Sequence, residues 1–323
     1  MDLMTIIREK HTDFVDLCRS HRVDKIYAFG SSITDHFDEN KSDIYKILPN
    51  EYVPTTVSVR VGDDYSSVLE TSGLKYPLII KPNVGYKGYK VVKVDKEYHL
   101  KNFLDLQDER REWLVQEYVS YNCEYSLLFY RNPLNGKAGI SSLIEKIYPS
   151  VTGDGKKNLR TLVDEYFNPF LNRELLNERT TDESWVSVPK AGSKIILDTI
   201  GNYSRGAKFL SLMDKVDDRL IKATSGHFEK VEGLDFFRLD FKADSLEDYS
   251  NGNFGILEVN GAKSEPLHIY DPRYGFTQRM KIIIDHWSII RSIVRARMKI
   301  GNYRFPSTRY GLKSLFAIKK LVK

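Results

Sequence analysis

Arg238, Asp240, Glu258 and Asn260 have the types and spacing that could hold a cation beside a phosphate. They lie within Phe236–Glu265, in two short apolar runs, FFRLDF and FGILEVN, joined by a polar segment bearing Gly and Asn. That pattern predicts a β-hairpin with a long loop. Side chains alternate faces along a strand, so Arg238 and Asp240 share one side of the first strand, and Glu258 and Asn260 share one side of the second. If the two sides coincide, carboxylate and amide oxygens gather next to an arginine. Hard cations such as Mg²⁺ take such oxygens and retain water and phosphate ligands. The same pairs also fit solvated residues on the outer side of a half-exposed sheet.

Two further groups bear on that choice. In YPLIIKPNVGYKGYKVVKV a buried strand, Leu78–Ile80, ends at Lys81, and a turn with Gly85 and Gly88 leads into a second strand, Tyr89–Val94. Glycines let backbone N–H groups approach a ligand, as a phosphate cradle requires, and Lys81 and Lys87 place ammonium groups nearby. An ordinary hairpin turn carries the same glycines. In WLVQEYVSYNCEYSLLFYR, strands Leu114–Gln116 and Glu124–Tyr130 flank a link. There Gln116, Glu117, Tyr118 and Val119 form a hinge whose backbone suits an adenine edge, and Glu124 suits ribose hydroxyls. A plain strand–turn–strand with solvated acids reads equally well.

The elements that must position these groups are short. Residues 1–44 read as a helix, a strand and a loop. From Lys46, ILPNEYVPTTVSV reads as the first strand of a new unit, punctuated by Pro49 and Pro54. A helix is expected over 64–74 with Val68 and Leu69 inward. Another is expected over 96–112 with Leu100, Phe103, Leu104 and Leu106 on its apolar side. Residues 167–200, rich in Asn, Arg and Glu, read as a less regular insertion able to contribute substrate contacts.

Composition sets the class. A chain of 323 residues, 41% hydrophobic, with 20 Tyr and 16 Phe, suits a soluble protein of two domains or of several lobes. Cys18 and Cys123 have no metal-ligand spacing and the seven His form no ligand motif, so a reducing, cytoplasmic setting is expected. No signal-peptide core or membrane-length apolar run is present in the sequence. The net charge of +5 is unevenly shared: Phe276–Lys323 carries twelve Lys/Arg against Asp285 alone, leaving −6 for the rest.

Two resemblances follow from these residues. The stretch VDKIYAFGSSITDHFDENKSDIY resembles the start of a minimal nucleotidyltransferase of the polymerase-beta type, with Gly30, Ser31 and Ser32 matching its phosphate motif and Asp43 its first metal carboxylate. Tyr45 stands where the second carboxylate belongs, so the segment reads as a fragment without its own catalysis, or as a helix and strand capping the next domain. Over about residues 46–275 the motifs around Lys81, Gln116–Val119, Glu124 and Arg238/Asp240/Glu258/Asn260 occur in the order of the ATP-grasp superfamily. Within it the chain resembles D-alanine–D-alanine ligases and the ligase half of cyanophycin synthetase, whose Gly-Asp-Gly element is similar to VTGDGKKNLRTLVDEY.

That resemblance implies an α+β ATP-grasp fold, with ATP between two sheet-containing lobes, a short N-terminal segment and C-terminal helices. It divides the chain into 1–45, a small lobe at 46–115, a large lobe at 116–275 and a basic tail at 276–323. It also implies a ligase joining a small-molecule carboxylate to an amine through an acyl phosphate, on amino-acid or peptide-like substrates. A catalytically impaired nucleotide- or partner-binding protein is the alternative. Lys81, Gly85, Lys87 and Gly88 would contact phosphates, Gln116, Glu117, Tyr118 and Val119 the adenine, and Glu124 the ribose. Asp240, Glu258 and Asn260 would hold Mg²⁺, with Arg238 near the transferred phosphoryl group and Asn202 and Arg205 at the acyl phosphate or substrate carboxylate. Members of the family usually carry a further phosphate-contacting lysine upstream, and Lys46 is the nearest candidate.

The tail, FTQRMKIIIDHWSIIRSIVRARMKI, places Ile282, Ile283, Trp287, Ile290, Ile293, Val294 and Met298 at helical spacing, with Arg291, Arg295, Arg297 and Lys299 between. A similar piece, TRYGLKSLFAIKKLVK, follows Pro306. A helix packed on the lobe with solvated charges fits, as does one resting on anionic lipid or an acidic partner. Nucleic acid is not expected, because the body is acidic and no base-stacking motif accompanies the charge.

Overall fold

A computed structural model describes residues 41–83, 90–107, 112–171, 173–231, 234–261 and 264–301, with the backbone alone at 175, 178, 179 and 301. The segment likened to a nucleotidyltransferase (Gly30–Ser32), the glycine turn (Gly85, Lys87, Gly88) and the piece after Pro306 lie outside these residues. Residues 41–47, which span the end of the expected loop at 44 and the start of the expected strand, are instead helix α1 (Lys41–Ile47).

The first lobe contains β1 (Thr56–Val59), α2 (Tyr65–Ser72), β2 (Leu78–Pro82), β3 (Val92–Val94), α3 (Glu97–Asp105) and β4 (Trp113–Glu117). Its strands form one antiparallel sheet in the order β1-β4-β2-β3. The sheet therefore runs through Gln116 and Glu117, two residues past the division expected at 115. Helix α2 starts where Asp64 accepts from Ser67 N–H and stops at Gly73, whose φ of 71° suits glycine. One sheet face packs Leu78, Ile80, Trp113 and Val115 against Leu69, Leu100 and Leu104. Leu106, expected on that apolar face, lies one residue past the end of α3 and is exposed, because the helix is shorter than its periodicity suggests.

The second lobe is built on a five-stranded antiparallel sheet. In chain order it contains β5 (Cys123–Arg131), β6 (Ala138–Ile147), β7 (Ser150–Thr152), α4 (Leu159–Glu165), α5 (Arg173–Arg179), α6 (Asp182–Val186), β8 (Lys194–Ile196), β9 (Lys208–Ser211), α7 (Asp218–His227), β10 (Phe236–Ala243), α8 (Leu246–Ser250), β11 (Gly255–Asn260) and α9 (Phe276–Gly301). The sheet order is β11-β10-β5-β6-β9. Alternation sends Tyr125, Leu127 and Phe129 of β5 and Phe237, Leu239 and Phe241 of β10 into a core with Leu220, Phe228, Tyr249 and Phe254. Burying each large side chain contributes roughly 1.5–3 kcal/mol. Tyr45 and Leu48, from and just after α1, join this second-lobe core although they precede the first lobe.

The insertion at 167–200 is more ordered than expected. Strands β7 and β8 pair, and Val151, Leu159, Val163, Leu176, Trp185 and Leu197 form a small core of their own. Helix α9 lies with His286, Ile293 and Ala296 buried. Arg297, expected among solvated charges, instead pairs with Asp235. Among the described residues no helix is long and apolar enough to cross a membrane.

Candidate functional site

The side chains not sent into the core converge on the cleft between the sheets. On β10 these are Arg238, Asp240 and Lys242; on β5, Glu124 and Ser126; on β6, Lys146. The register pairs Arg238 with Asn260 and Asp240 with Glu258, so the two sides of the hairpin coincide and all four residues share a face. A bulge follows, because Phe241 pairs with Ile256 and the ladder skips Leu257. The Leu257 carbonyl is used across the cleft instead. It accepts from Tyr45 Oη at 2.8 Å and from Lys81 Nζ at 3.3 Å.

Lys81 enters from the first lobe. Its ammonium also donates to Tyr45 Oη at 2.6 Å and to Gln116 Oε1 at 2.7 Å. Burial lowers its pKa to about 8, with Glu258 opposing. Burial above all pushes the Tyr45 hydroxyl up, so it stays protonated and donates to Leu257 while accepting from Lys81.

Gln116 braces that lysine. Its amide accepts from Lys81 and donates to Thr56 Oγ1 at 2.7 Å, and its backbone lies in the ladder between β1 and β2. Glu117 turns outward beside Thr55. Tyr118 and Val119 follow the strand: the Tyr118 ring has the ammonium groups of Lys93 and Lys242 each 4.8 Å from its centroid, and Val119 O accepts from Lys242 at 3.3 Å.

Lys146 occupies the floor. It donates to Glu124 Oε1 at 2.9 Å and to Asp240 Oδ2 at 3.1 Å. Glu124 also accepts from Tyr148 Oη at 2.7 Å, and Asp240 from Ser126 Oγ at 2.5 Å. Burial opposes the Asp240 charge, but Lys146 and Arg238 outweigh it and hold the carboxyl below its ordinary range. Against burial, and against Arg238, the Asp240 and Glu124 carboxylates push the Lys146 ammonium up.

Glu258 is 36% exposed and pairs with Lys41 of α1 at 3.5 Å. The upstream lysine that reaches the cleft is thus Lys41, five residues before the anticipated position; Lys46 is solvent-facing and pairs with Asp43 at 2.8 Å.

Asn202 lies at the cleft's far wall, and Arg205, expected beside it, is not among the lining residues because it is held by Asp198. The Asn202 side chain caps a short turn by accepting from Ser204 N–H, and Gly201 beside it abuts the Glu124 carboxylate. Arg205 is committed to Asp198, with contacts of 2.7 and 3.1 Å, and reaches Val91 O of the first lobe at 3.4 Å.

The enclosed part of the cleft measures about 160 Å³. Among its lining residues, Lys41, Lys146, Lys242 and the segment Thr199–Gly201 were not singled out from sequence. The signal for Lys146 is a lysine on the same strand face as fully buried Ile144; Tyr45 was noticed only as a missing carboxylate.

The donor set suits a magnesium ion bridged to phosphate. Among the described residues no cluster of three or more His, Cys, Asp or Glu occurs, so two carboxylates and an amide are what the hairpin offers. Mg²⁺ is ordinarily held by one or two carboxylates together with substrate phosphates. Among the described residues the buried Asn260 amide nitrogen and Arg238 Nε have no hydrogen-bond partner, although Arg238 Nε lies 3.3 Å from Asp240 Oδ1.

No protein-family model matches the chain, and no curated protein matches it. Several solved structures are similar to this chain at low sequence identity. The D-alanine–D-alanine ligase from Bacillus anthracis matches with a TM-score of 0.42 and 15% identity, over 81% of this chain and 68% of that one. The D-Ala:D-Ser ligase from Enterococcus faecalis gives 0.41 and 14%, over 77% and 61%. The N5-carboxyaminoimidazole synthetase from Staphylococcus aureus, complexed with ADP, gives 0.41 and 16%, over 71% and 45%. This chain spans less than two thirds of the length of the latter two.

Proposed function

We propose that this chain is an ATP- and Mg²⁺-dependent carboxylate–amine ligase acting on amino-acid or peptide-like substrates. The observation that carries the proposal is the register of β10 and β11, which sets Asp240 opposite Glu258 and Arg238 opposite Asn260 on the face that meets Lys81 and Lys146. Carboxylates for a metal and ammonium groups for phosphates share one cleft, and phosphoryl transfer asks a protein mainly for charge neutralisation and alignment.

In this reading Asp240, Glu258 and Asn260 hold Mg²⁺, and Lys81, Lys146 and Lys41 neutralise phosphates. Tyr118 and Val119 border the base and Glu124 receives the ribose. Arg238 lies at the transferred group, and Asn202 and Arg205 face the acceptor side, Arg205 through its pairing with Asp198. ATP with its metal supplies the phosphoryl group that turns a carboxylate oxygen into a leaving group. The protein's own part is to exclude water and to hold charge fixed.

The test is phosphate release from ATP and Mg²⁺ with pools of amino acids and dipeptides, comparing wild type with Glu258→Gln. Stimulated release that the variant loses is expected. A second reading, a nucleotide-binding protein without turnover, is favoured by Lys146, which already neutralises both Glu124 and Asp240. It prevails if ATP and Mg²⁺ raise the melting temperature while no pool stimulates release. No melting shift at all would remove both readings.

A further inference from the structure

Helix α9 has two apolar sides, and only one is covered among the described residues. The inner side buries His286, Ile293 and Ala296, and Arg297 and Arg279 are tied to the lobe through Asp235 and through the Asp271 and Tyr274 carbonyls. On the outer side Phe276, Met280, Ile284 and Trp287 are 78, 40, 59 and 61% exposed. Spacings of four, four and three residues put them on one stripe, about 16 Å long at the helical rise. Exposed Lys281, Arg291, Arg295 and Lys299 stand on or beside that stripe. Asp285 is the single acid of the helix and pairs with Lys281.

We propose that this face docks on an anionic lipid surface, with α9 lying in the plane of the interface. An apolar stripe holding Trp, Phe, Ile and Met and flanked by Lys and Arg is the pattern of an interfacial helix. Its indole sits at headgroup depth while cations meet anionic headgroups. Charge selects this occupant over a second copy of the chain: antiparallel or parallel self-packing brings the same cations together with one already-paired acid between them. Phe276–Gly301 holds six Lys/Arg against Asp285 alone, so the helix is drawn toward negative charge. A lipid surface fits better than an acidic polypeptide, because the four exposed apolar side chains need a continuous apolar layer rather than point charges. The inference is independent of the ligase proposal.

The three tryptophans make the test direct. Trp113 and Trp185 are buried and Trp287 is exposed, so a change in emission on adding a ligand reports α9. The full chain is mixed with vesicles of phosphatidylcholine alone or with roughly 30% phosphatidylglycerol. Sedimentation with the anionic vesicles, a shift of emission to shorter wavelength and weakening at high salt are expected. Ile284→Ser/Trp287→Ser and, separately, Arg291→Glu/Arg295→Glu should each lose most of the sedimentation while keeping the wild-type melting temperature, since these side chains face solvent.

Four results overturn the proposal. The first is equal binding to neutral vesicles or none to anionic ones. The second is unchanged binding by both variants. The third is a dimer in light scattering that the apolar variant dissolves, which assigns the stripe to a second copy. The last is an equal emission shift with polyglutamate, which assigns it to an acidic polypeptide.

Discussion

Lys146 and Asp240 form a buried ion pair at 3.1 Å, and the same ammonium reaches Glu124 at 2.9 Å. One cation thereby compensates two carboxylates in a site with little water. Removing it strands Glu124 and leaves Asp240 with Arg238 as its remaining cation, and breaking such a buried arrangement costs about 3–5 kcal/mol. Lys146→Met is expected to lower stability to urea by that order. Adding Glu124→Gln should recover part of the loss, since the stranded charge disappears. Equal losses in the single and double variants would mean that the bridge contributes no charge compensation.

Lys81 gives the protein a dependence on alkaline pH. Its pKa is lowered to about 8 by burial, with Glu258 opposing, whereas an unfolded lysine titrates near ~10.4. Between those values the unfolded chain holds a proton that the native chain has released. Stability from this group therefore rises with pH through the window and is withdrawn as pH falls back through the native value. Wild type minus Lys81→Met should gain on the order of 3 kcal/mol across the window. Urea midpoints at several alkaline pH values read it, and parallel curves would contradict it. Because the charged form is the one that holds phosphate, ATP affinity should weaken over the same rise in pH.

Gly201 abuts the Glu124 carboxylate so closely that a Cβ there would overlap all its terminal atoms. Glu124 cannot swing away without leaving Lys146 and Tyr148. Gly201→Ala should cost about 1–3 kcal/mol, as overpacking usually does. Gly226→Ala, in α7 with open space around it, should instead stabilise by roughly 0.5–1 kcal/mol. Thermal melts of the two variants are expected to move in opposite directions.

Tyr45→Phe keeps the ring in the core and deletes the hydroxyl that joins Lys81 to Leu257. The loss should be about 1–3 kcal/mol, and hydrogen exchange should quicken at Leu78–Pro82 and Gly255–Asn260 together. Faster exchange at one strand alone would show that the hydroxyl does not couple the lobes.

Much of the site was legible because β-strands have a period of two. The pairs Arg238/Asp240 and Glu258/Asn260 follow from that period, and the apolar flanks fixed which side was core. The sign of the register was the open question, and the bulge at Leu257 is what keeps the four residues opposed while the ladder beyond shifts by one. Lys81 was legible for the same reason, as a cation ending an apolar strand.

Other positions depended on contacts distant in sequence. Lys146 sits beside Glu145 in a run that looks half-exposed, and nothing local says that Glu124 and Asp240 wait opposite. Tyr45 and Lys41 precede the first lobe yet pack on the second, an arrangement that no periodicity encodes. Trp287 and Arg297 exchanged their expected surroundings because the contact between α9 and Asp235, not the spacing of apolar residues alone, sets the rotation of the helix.

The Tyr45 hydroxyl touches the first lobe through Lys81 and the second through Leu257, and it is carried by a helix that belongs to neither sheet. Separation of the sheets cannot leave both hydrogen bonds intact, so α1 acts as a latch pin.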